Sequence, residues 1–316
     1  MKIKLIIFIL FIFFYIISFA EDEYPTNELI ITFTQEEFEN IKIQTRNKIK
    51  IFDIQEIDLL NKEYSVIEIE NFFDEFRTKN LIYPVNDKYG FYRTYKVTFK
   101  NNVDLNIVKS RYRSCGGVES INLNYPVKEN IDIGNVNDLL NYNYYELMGI
   151  NTAWDYTTGS ENIIVAVIDT GVKKHYDLIP NLIGGECFAG LFDSCHWSED
   201  YGIQHGTRIA GIISAVGNNN MGIAGVTWHC KILSVKIYKR GLLQDHQGSV
   251  WDLTQGIFYA ADRANILNIS TGVREILGIE FDPEDISKLK DSLIYAYHDK
   301  GCIIVAAAGN DGNGNI

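Results

Sequence analysis

Apolar and polar residues follow two rhythms along this chain. Between residues 21 and about 136 the texture is charged and the elements are modest. Glu28-Leu-Ile-Ile-Thr-Phe33 reads as a strand, and Thr34-Gln-Glu-Glu37 fits a capping box that opens a short helix. Lys48-Ile-Lys-Ile-Phe-Asp-Ile54 and Tyr95-Lys-Val-Thr-Phe99 alternate as half-exposed strands should. A helical segment from Val103 to Arg113 stops at Gly116-Gly117, and Val118-Glu-Ser-Ile-Asn-Leu123 resumes as strand. Residues 71–90 show no period and read as a loop or insertion. Strand, helix, strand, twice over, predicts a small α+β domain with an antiparallel sheet.

From residue 137 to residue 316 the rhythm changes. Ile163-Ile-Val-Ala-Val-Ile168 runs unbroken into Asp169-Thr170-Gly171. A β-branched run of this kind predicts a strand buried on both faces of a parallel sheet; a helix would show polar residues at 3.6 spacing. Further buried-looking runs are Ile232–Ile237, Ala264–Ile269 and Cys302–Ala308. Helical patterns at Ile209–Val216, Trp251–Arg263 and Asp285–Lys300 separate them, and Asn151–Tyr156 reads as a capped short helix closed by Thr157-Thr-Gly159. Strands alternating with long helices predict parallel βαβ units, so the fold class is α/β with a doubly wound parallel sheet.

Composition adds boundaries. The 316 residues leave room for two domains, and 46% hydrophobic with 22% charged residues is ordinary globular usage. A net charge of −12 argues against nucleic acid and anionic membrane surfaces as partners. The first twenty residues are more specific. Lys2 and Lys4 precede the apolar stretch Leu5–Phe19, Ser18-Phe19-Ala20 is a small-x-small cleavage site, and Glu21-Asp22-Glu23 follows. This predicts a secretory signal peptide over residues 1–20, cut after Ala20, and a secreted protein that meets the membrane only through that sequence. An uncleaved signal anchor is the competing reading. Export puts the five cysteines in an oxidising setting. Cys187 and Cys195 bracket a loop they could close, while Cys230 and Cys302 head apolar strands and could be buried thiols; the pairing stays open. Cys115 stands apart in the first half, and no metal-binding Cys/His spacing occurs.

Four stretches carry chemistry. Asp169 stands where a buried strand ends, the edge that faces the ligand crevice in open α/β sheets, although an Asp there can be a mere turn former. His205-Gly-Thr207 stands before an apolar helix. A helix N-terminus disfavours imidazolium, so a working His needs a carboxylate beside it, and Asp169 could supply one. Such a pair is the base-and-orienter half of a nucleophilic triad; a cap is the plain alternative. Asn310, after the last strand, carries an amide that could donate to an oxyanion, or forms an Asn-Asp-Gly turn. Asn268-Ile-Ser-Thr-Gly272 closes another strand at that edge, where its backbone could pair with an extended peptide.

Together, Asp169 with its strand, His205-Gly-Thr, Asn268-Ile-Ser-Thr-Gly and Ala307-Ala-Gly-Asn310 resemble the subtilisin-like serine proteases over residues 137–316. The resemblance implies that Asp169 orients, His205 acts as general base and Asn310 donates to the oxyanion. It implies Ser270, Thr271 and Gly272 as a wall of the specificity pocket, and Gly248 on the strand that flanks bound peptide. It implies that no cofactor is required for catalysis. A structural calcium is implied at a loop like Asn218–Gly225, with Asn219 and Asp177 at the matching positions, and an oxygen-rich site suits that ion. A phosphate-loop reading of these glycines fails because no Gly-Lys-Ser/Thr follows. Residues 21–136 resemble the family's prodomain, which assists folding and blocks the cleft, with Tyr125–Asn130 leading into the processing region. Polypeptide substrates and a monomer are expected.

One departure stands beside these matches. The family's nucleophile lies in Gly-Thr-Ser-x-Ala beyond the oxyanion Asn, and none of Ser194, Ser214, Ser249, Ser270 and Ser292 has that context. The expectation is an N-terminal fragment of a secreted serine endopeptidase precursor, its sheet incomplete at the C-terminus and the chain as written inactive. A secreted inhibitor or folding chaperone acting through residues 21–136 is the alternative, and a small-molecule-binding α/β domain a weaker third. Asp169 and His205 within hydrogen-bond reach is the geometric expectation.

Overall fold

The computed structural model describes residues 27–309 apart from 41–43, 47–48, 80, 82–86, 101–102, 130–144, 146, 190–194, 200–203, 220, 241–245 and 274–282. The expected signal sequence, the junction near residue 136 and Asn310 lie outside the described residues.

In the first half, β1 (Glu28–Phe33), α1 (Gln55–Glu63), β2 (Val66–Asn71), β3 (Thr94–Phe99), α2 (Leu105–Arg113) and β4 (Val118–Leu123) build the expected α+β unit. The antiparallel sheet runs β2-β3-β1-β4. Asp104 caps α2 by accepting from the N–H groups of Asn106 and Ile107 at 3.1 Å, which fills two donors a helix start leaves open. Ile57 and Leu60 of α1 and Leu105, Val108 and Tyr112 of α2 share one buried cluster with the sheet. Within Lys48–Ile54 only Ile49–Ile51 is strand, in a hairpin with Gln44–Arg46; Asp53, at φ +60°, turns the chain out of extended geometry. Residues 71–90 are more than a loop, since Asp74–Thr78 is helical and Phe72, Phe73 and Phe76 are buried. Their rings serve the other half of the molecule, so no amphipathic period shows locally.

The first half also supplies β5 (Pro126–Glu129), and in chain order the second half then supplies β6 (Ile164–Asp169), β7 (Leu182–Cys187), α3 (His205–Ser214), β8 (Lys231–Lys236), β9 (His246–Ser249), α4 (Val250–Ala261), β10 (Ile266–Ile269), β11 (Thr271–Val273), α5 (Ser287–Ile294) and β12 (Ile303–Ala306). Five strands form a parallel sheet in the order β12-β10-β6-β8-β7. Alternate residues of β6 go to opposite faces. Val165 and Val167 pack in one cluster with Ala210 of α3, and Ala166 and Ile168 in another with Ile257 and Phe258 of α4. A helix on each face is why this strand reads as unbroken apolar sequence, and it makes the sheet doubly wound.

Three expectations need correcting. The short helix is Ile150–Trp154, entered through Gly149 at φ +67° and not capped by Asn151. The helix expected from Ile209 begins at His205, so the histidine sits in its first turn. The pattern Asp285–Lys300 holds α5 and then one π-turn, Tyr295–Asp299. The edge strand β7 went unforeseen because Gly184-Gly185 dilutes its pattern. Those glycines have a cause: a Cβ on Gly185 would stand 1.8 Å from the Ser234 carbonyl oxygen of β8.

Cys187 and Cys195 form a disulfide, and Cys115, Cys230 and Cys302 are free, the last two buried. The bond closes a short loop ahead of α3. Cys195→Ser is expected to lower unfolding free energy by about 2–3 kcal/mol, the chain-entropy value for a loop this short, read from urea melts.

The two halves share one interior. Phe258 of α4 lies 5.8 Å from Phe72, 5.6 Å from Phe73, 6.1 Å from Phe76 and 5.0 Å from Phe91, and stacks on Tyr295 at 4.4 Å. Trp251 meets Phe72 edge-on at 5.3 Å, its Nε1–H donates to Glu70, and Lys96 pairs with that carboxylate at 2.9 Å. Lys79 binds Glu186 of β7 at 3.0 Å and Glu75 at 3.1 Å. Burial pushes the Glu75 carboxyl up to about 7, outweighing the nearby Lys79 ammonium. Its folded value lies above its unfolded one, so its contribution to stability is full below pH about 4.5 and is lost as pH rises through about 7. Glu75→Gln is therefore expected to raise the melting temperature relative to the parent at pH 8 and to shrink that gain at pH 5.

Candidate active site

The site begins at the carboxyl end of β6. Asp169 is 1% exposed, and its carbonyl accepts from Ile237 N–H at 3.0 Å, extending the ladder to β8. Its carboxylate turns towards α3. His205 Nδ1 stands 2.8 Å from Oδ1 and 3.0 Å from Oδ2, as expected. The Thr170 N–H donates to Oδ1 at 2.6 Å and the Thr170 hydroxyl reaches the same oxygen at 3.1 Å. These donors fix the carboxylate's orientation. With Nδ1–H donating to Asp169, Nε2 is the basic nitrogen of His205. The positive end of α3 opposes imidazolium, and the buried carboxylate offsets that field.

Glycines let the two segments approach. Gly171 has φ +102°, and a Cβ on Gly206 would lie 2.2 Å from the Gly171 carbonyl oxygen. Asp-Thr-Gly and His-Gly-Thr are thus pressed against each other, and neither glycine can take a side chain without moving the acid from the base.

A second set of strands stands at the same edge of the sheet. β11 follows β10 after the single residue Ser270, and β10 is hydrogen-bonded to β6, so β11 leaves from the same sheet edge as Asp169. β5 runs antiparallel between β9 and β11. Val127 is opposite Gly248 on one side and Val273 on the other, and Lys128 and Glu129 are opposite Gly272 and Thr271. Ser270 accepts from the Asn268 amide at 2.9 Å, and Thr271 is buried against the Tyr238 hydroxyl. Gly248, Ser270, Thr271 and Gly272 therefore gather around one extended segment.

The backbone architecture has known counterparts. Fervidolysin from Fervidobacterium pennivorans, described as a keratinolytic enzyme related to subtilisin, superposes with a TM-score of 0.58 at 20% identity, over 92% of this chain and 41% of that one. That likeness concerns the fold alone. Residues 160–315 match the family described as the subtilase family. The C-terminal half of the chain is a subtilase domain. Thermophilic serine proteinase of Bacillus sp. strain AK1 is 38% identical over 163 residues, 51% of this chain and 36% of that protein. Minor extracellular protease Epr of Bacillus subtilis is 35% identical over 170 residues, 54% of this chain and 23% of that protein. The chain thus spans about a third and about a quarter of the length of these two relatives.

Within the subtilase domain, two residues at the dyad were not singled out from sequence although their signal was adjacent: Thr170 follows Asp169, and Thr207 closes His205-Gly-Thr. Glu199, buried beside both threonines, had no such signal. Asp177 and Asn219 do meet, but as a clasp. The Asn219 amide donates to Asp177 Oδ1 at 2.7 Å, Ile223 N–H donates to Oδ2 at 3.0 Å, and Asn219 Oδ1 accepts from Met221 N–H at 2.9 Å. Calcium calls for six to eight oxygen donors, and here N–H groups occupy the oxygens. As it stands, the arrangement does not fit that ion.

Proposed function

We propose that residues 137–316 carry the acid–base half of a secreted serine endopeptidase and that residues 21–136 are its prodomain, held in the cleft. Asp169 orients His205, whose Nε2 takes the proton as a serine hydroxyl attacks the scissile carbonyl and later returns it to the leaving amine. The 316 residues do not supply that hydroxyl in a Gly-Thr-Ser-x-Ala setting. Asn310, at the end of the strand run, is the amide assigned to the developing oxyanion. The backbones of Gly248 and Ser270-Thr271-Gly272 hold polypeptide substrate as an added strand, which favours extended peptides over folded ones. The signal-like residues 1–20 and the extracellular designation of one relative support secretion.

The observation that carries this reading is β5 seated antiparallel between β9 and β11, the latter leaving the sheet at the edge that carries the Asp169–His205 pair. An extended segment held on both sides occupies the place of a substrate, and it is joined to the first half of the same chain. Reading the coding sequence past codon 316 tests the proposal. An open frame encoding Gly-Thr-Ser-x-Ala, whose product is labelled on that serine by a fluorophosphonate and hydrolyses casein, is the expected result. A stop codon at that point, with no labelled serine, overturns it in favour of a non-catalytic inhibitor or chaperone.

A further inference from the structure

Glu199 is a buried carboxylate that the acid–base pair does not account for. It is 6% exposed, precedes His205 by six residues, and uses both oxygens: Oε1 meets the Thr170 hydroxyl and Oε2 meets the Thr207 hydroxyl. Thr170 accepts from Gly206 N–H at 3.0 Å and lies 3.1 Å from Asp169 Oδ1. Thr207, in the same helical turn as His205, accepts from Lys173 N–H at 2.9 Å. One side chain thus ties the strand end that carries the acid to the helix turn that carries the base.

Hydrogen counting sharpens this arrangement. A threonine hydroxyl has one hydrogen. Thr170 Oγ1 stands between two carboxylates, so its hydrogen serves only one at a time. While Glu199 is ionised, it competes with Asp169 for that hydrogen. When Glu199 carries a proton, it can donate to Thr170 Oγ1, and the hydroxyl hydrogen passes to Asp169. Burial pushes the Glu199 carboxyl up, the Thr170 and Thr207 hydroxyls pull it back, and the Asp169 charge adds to the upward push. Charged or titratable groups on the surrounding elements include His205 and Arg208 on α3, and Lys231 and Lys236 on β8, the last donating from Nζ to Ser198 O at 3.4 Å. His196 and Lys174 lie beside Trp197 on the same approach.

We propose that Glu199 is a positioning residue for the Asp169–His205 pair, acting through the hydroxyls of Thr170 and Thr207. The proposal rests on the reading of that pair as an acid–base couple. It gives Glu199 control over how strongly Asp169 is solvated by its own neighbour, and hence over the proton affinity of His205. A carboxylate that merely closed the segment before α3 would act on the imidazole through its charge alone, so Glu199→Asp, which keeps the charge, would leave the His205 midpoint where the parent has it.

The test is an NMR titration of the full chain labelled on its histidine nitrogens, with His205 assigned through a His205→Gln variant. Glu199→Gln keeps the shape, donates its amide hydrogen to Thr170 and removes a negative charge near the imidazole. Its His205 midpoint is expected to move to lower pH. Glu199→Asp keeps the charge but is one methylene too short to hold both threonines, so its midpoint is expected between the other two. A Gln variant that titrates His205 at the parent midpoint overturns the proposal, whatever its melting temperature. Should the Gln variant not fold, the Asp variant decides: a displaced midpoint supports the proposal and a coincident one overturns it. The titration needs no serine nucleophile, so its outcome is independent of whether the protein proves to be a peptidase.

Discussion

If the pair acts as proposed, replacing His205 by alanine in a protein that carries the serine nucleophile is expected to lower kcat about a million-fold, a size set by subtilisin and not by the geometry here. The reason is local. Nδ1 is held by Asp169 at 2.8 Å and the base is Nε2, so alanine leaves the attacking hydroxyl without a proton acceptor. KM should barely change, because in that proposal peptide is held by the strands around β5 and not by the imidazole. The melting temperature should barely change either, since His205 packs against the acid more than into the core. Asp169→Asn is expected to cost less, about ten-thousand-fold, as it misorients the base without removing it. Casein or peptide hydrolysis measures both. An alanine variant retaining a hundredth of parent turnover would remove the pair from the chemistry.

The second large effect is structural. Phe258→Ala is expected to cost about 3–5 kcal/mol, the range for emptying a buried phenylalanine site. Its ring touches four phenylalanines of the first half and Tyr295 of the second, so the void opens where the two halves join. Helix α4 is buried along nearly its whole surface and has little freedom to collapse into the space. Leu59→Ala, on an exposed face of α1, is the control and should fall within about 0.5 kcal/mol of the parent. Urea unfolding of both variants gives the comparison, and similar losses would mean that the ring cluster contributes little.

What the sequence revealed follows from where each residue's partners sit. β6 was legible because both its faces are covered, which leaves an unbroken apolar run. Asp169 and His205 were legible because each stands in a short motif at an element's end, and the glycines of those motifs mark the close approach. The aromatic residues of 72–76 were opaque, since key partners of theirs, Trp251 and Phe258, lie in the other half of the chain and impose no local period. β7 was hidden by the two glycines that let it lie against β8. β5 was opaque for another reason: an inserted strand borrows its pairing from β9 and β11, so nothing in its own side chains announces it. Glu199 became visible only when folding set it across from two threonines that sequence places far from each other.

The rings at the join have one more consequence. With a common interior, the molecule offers water no plane of easy entry between its halves, so heat should undo both in one cooperative step. A cut that carried away the first half would leave Trp251 and Phe258 as an oily stripe on α4. If the first half is removed as proposed, that stripe would need a new cover before the remainder could stay in water.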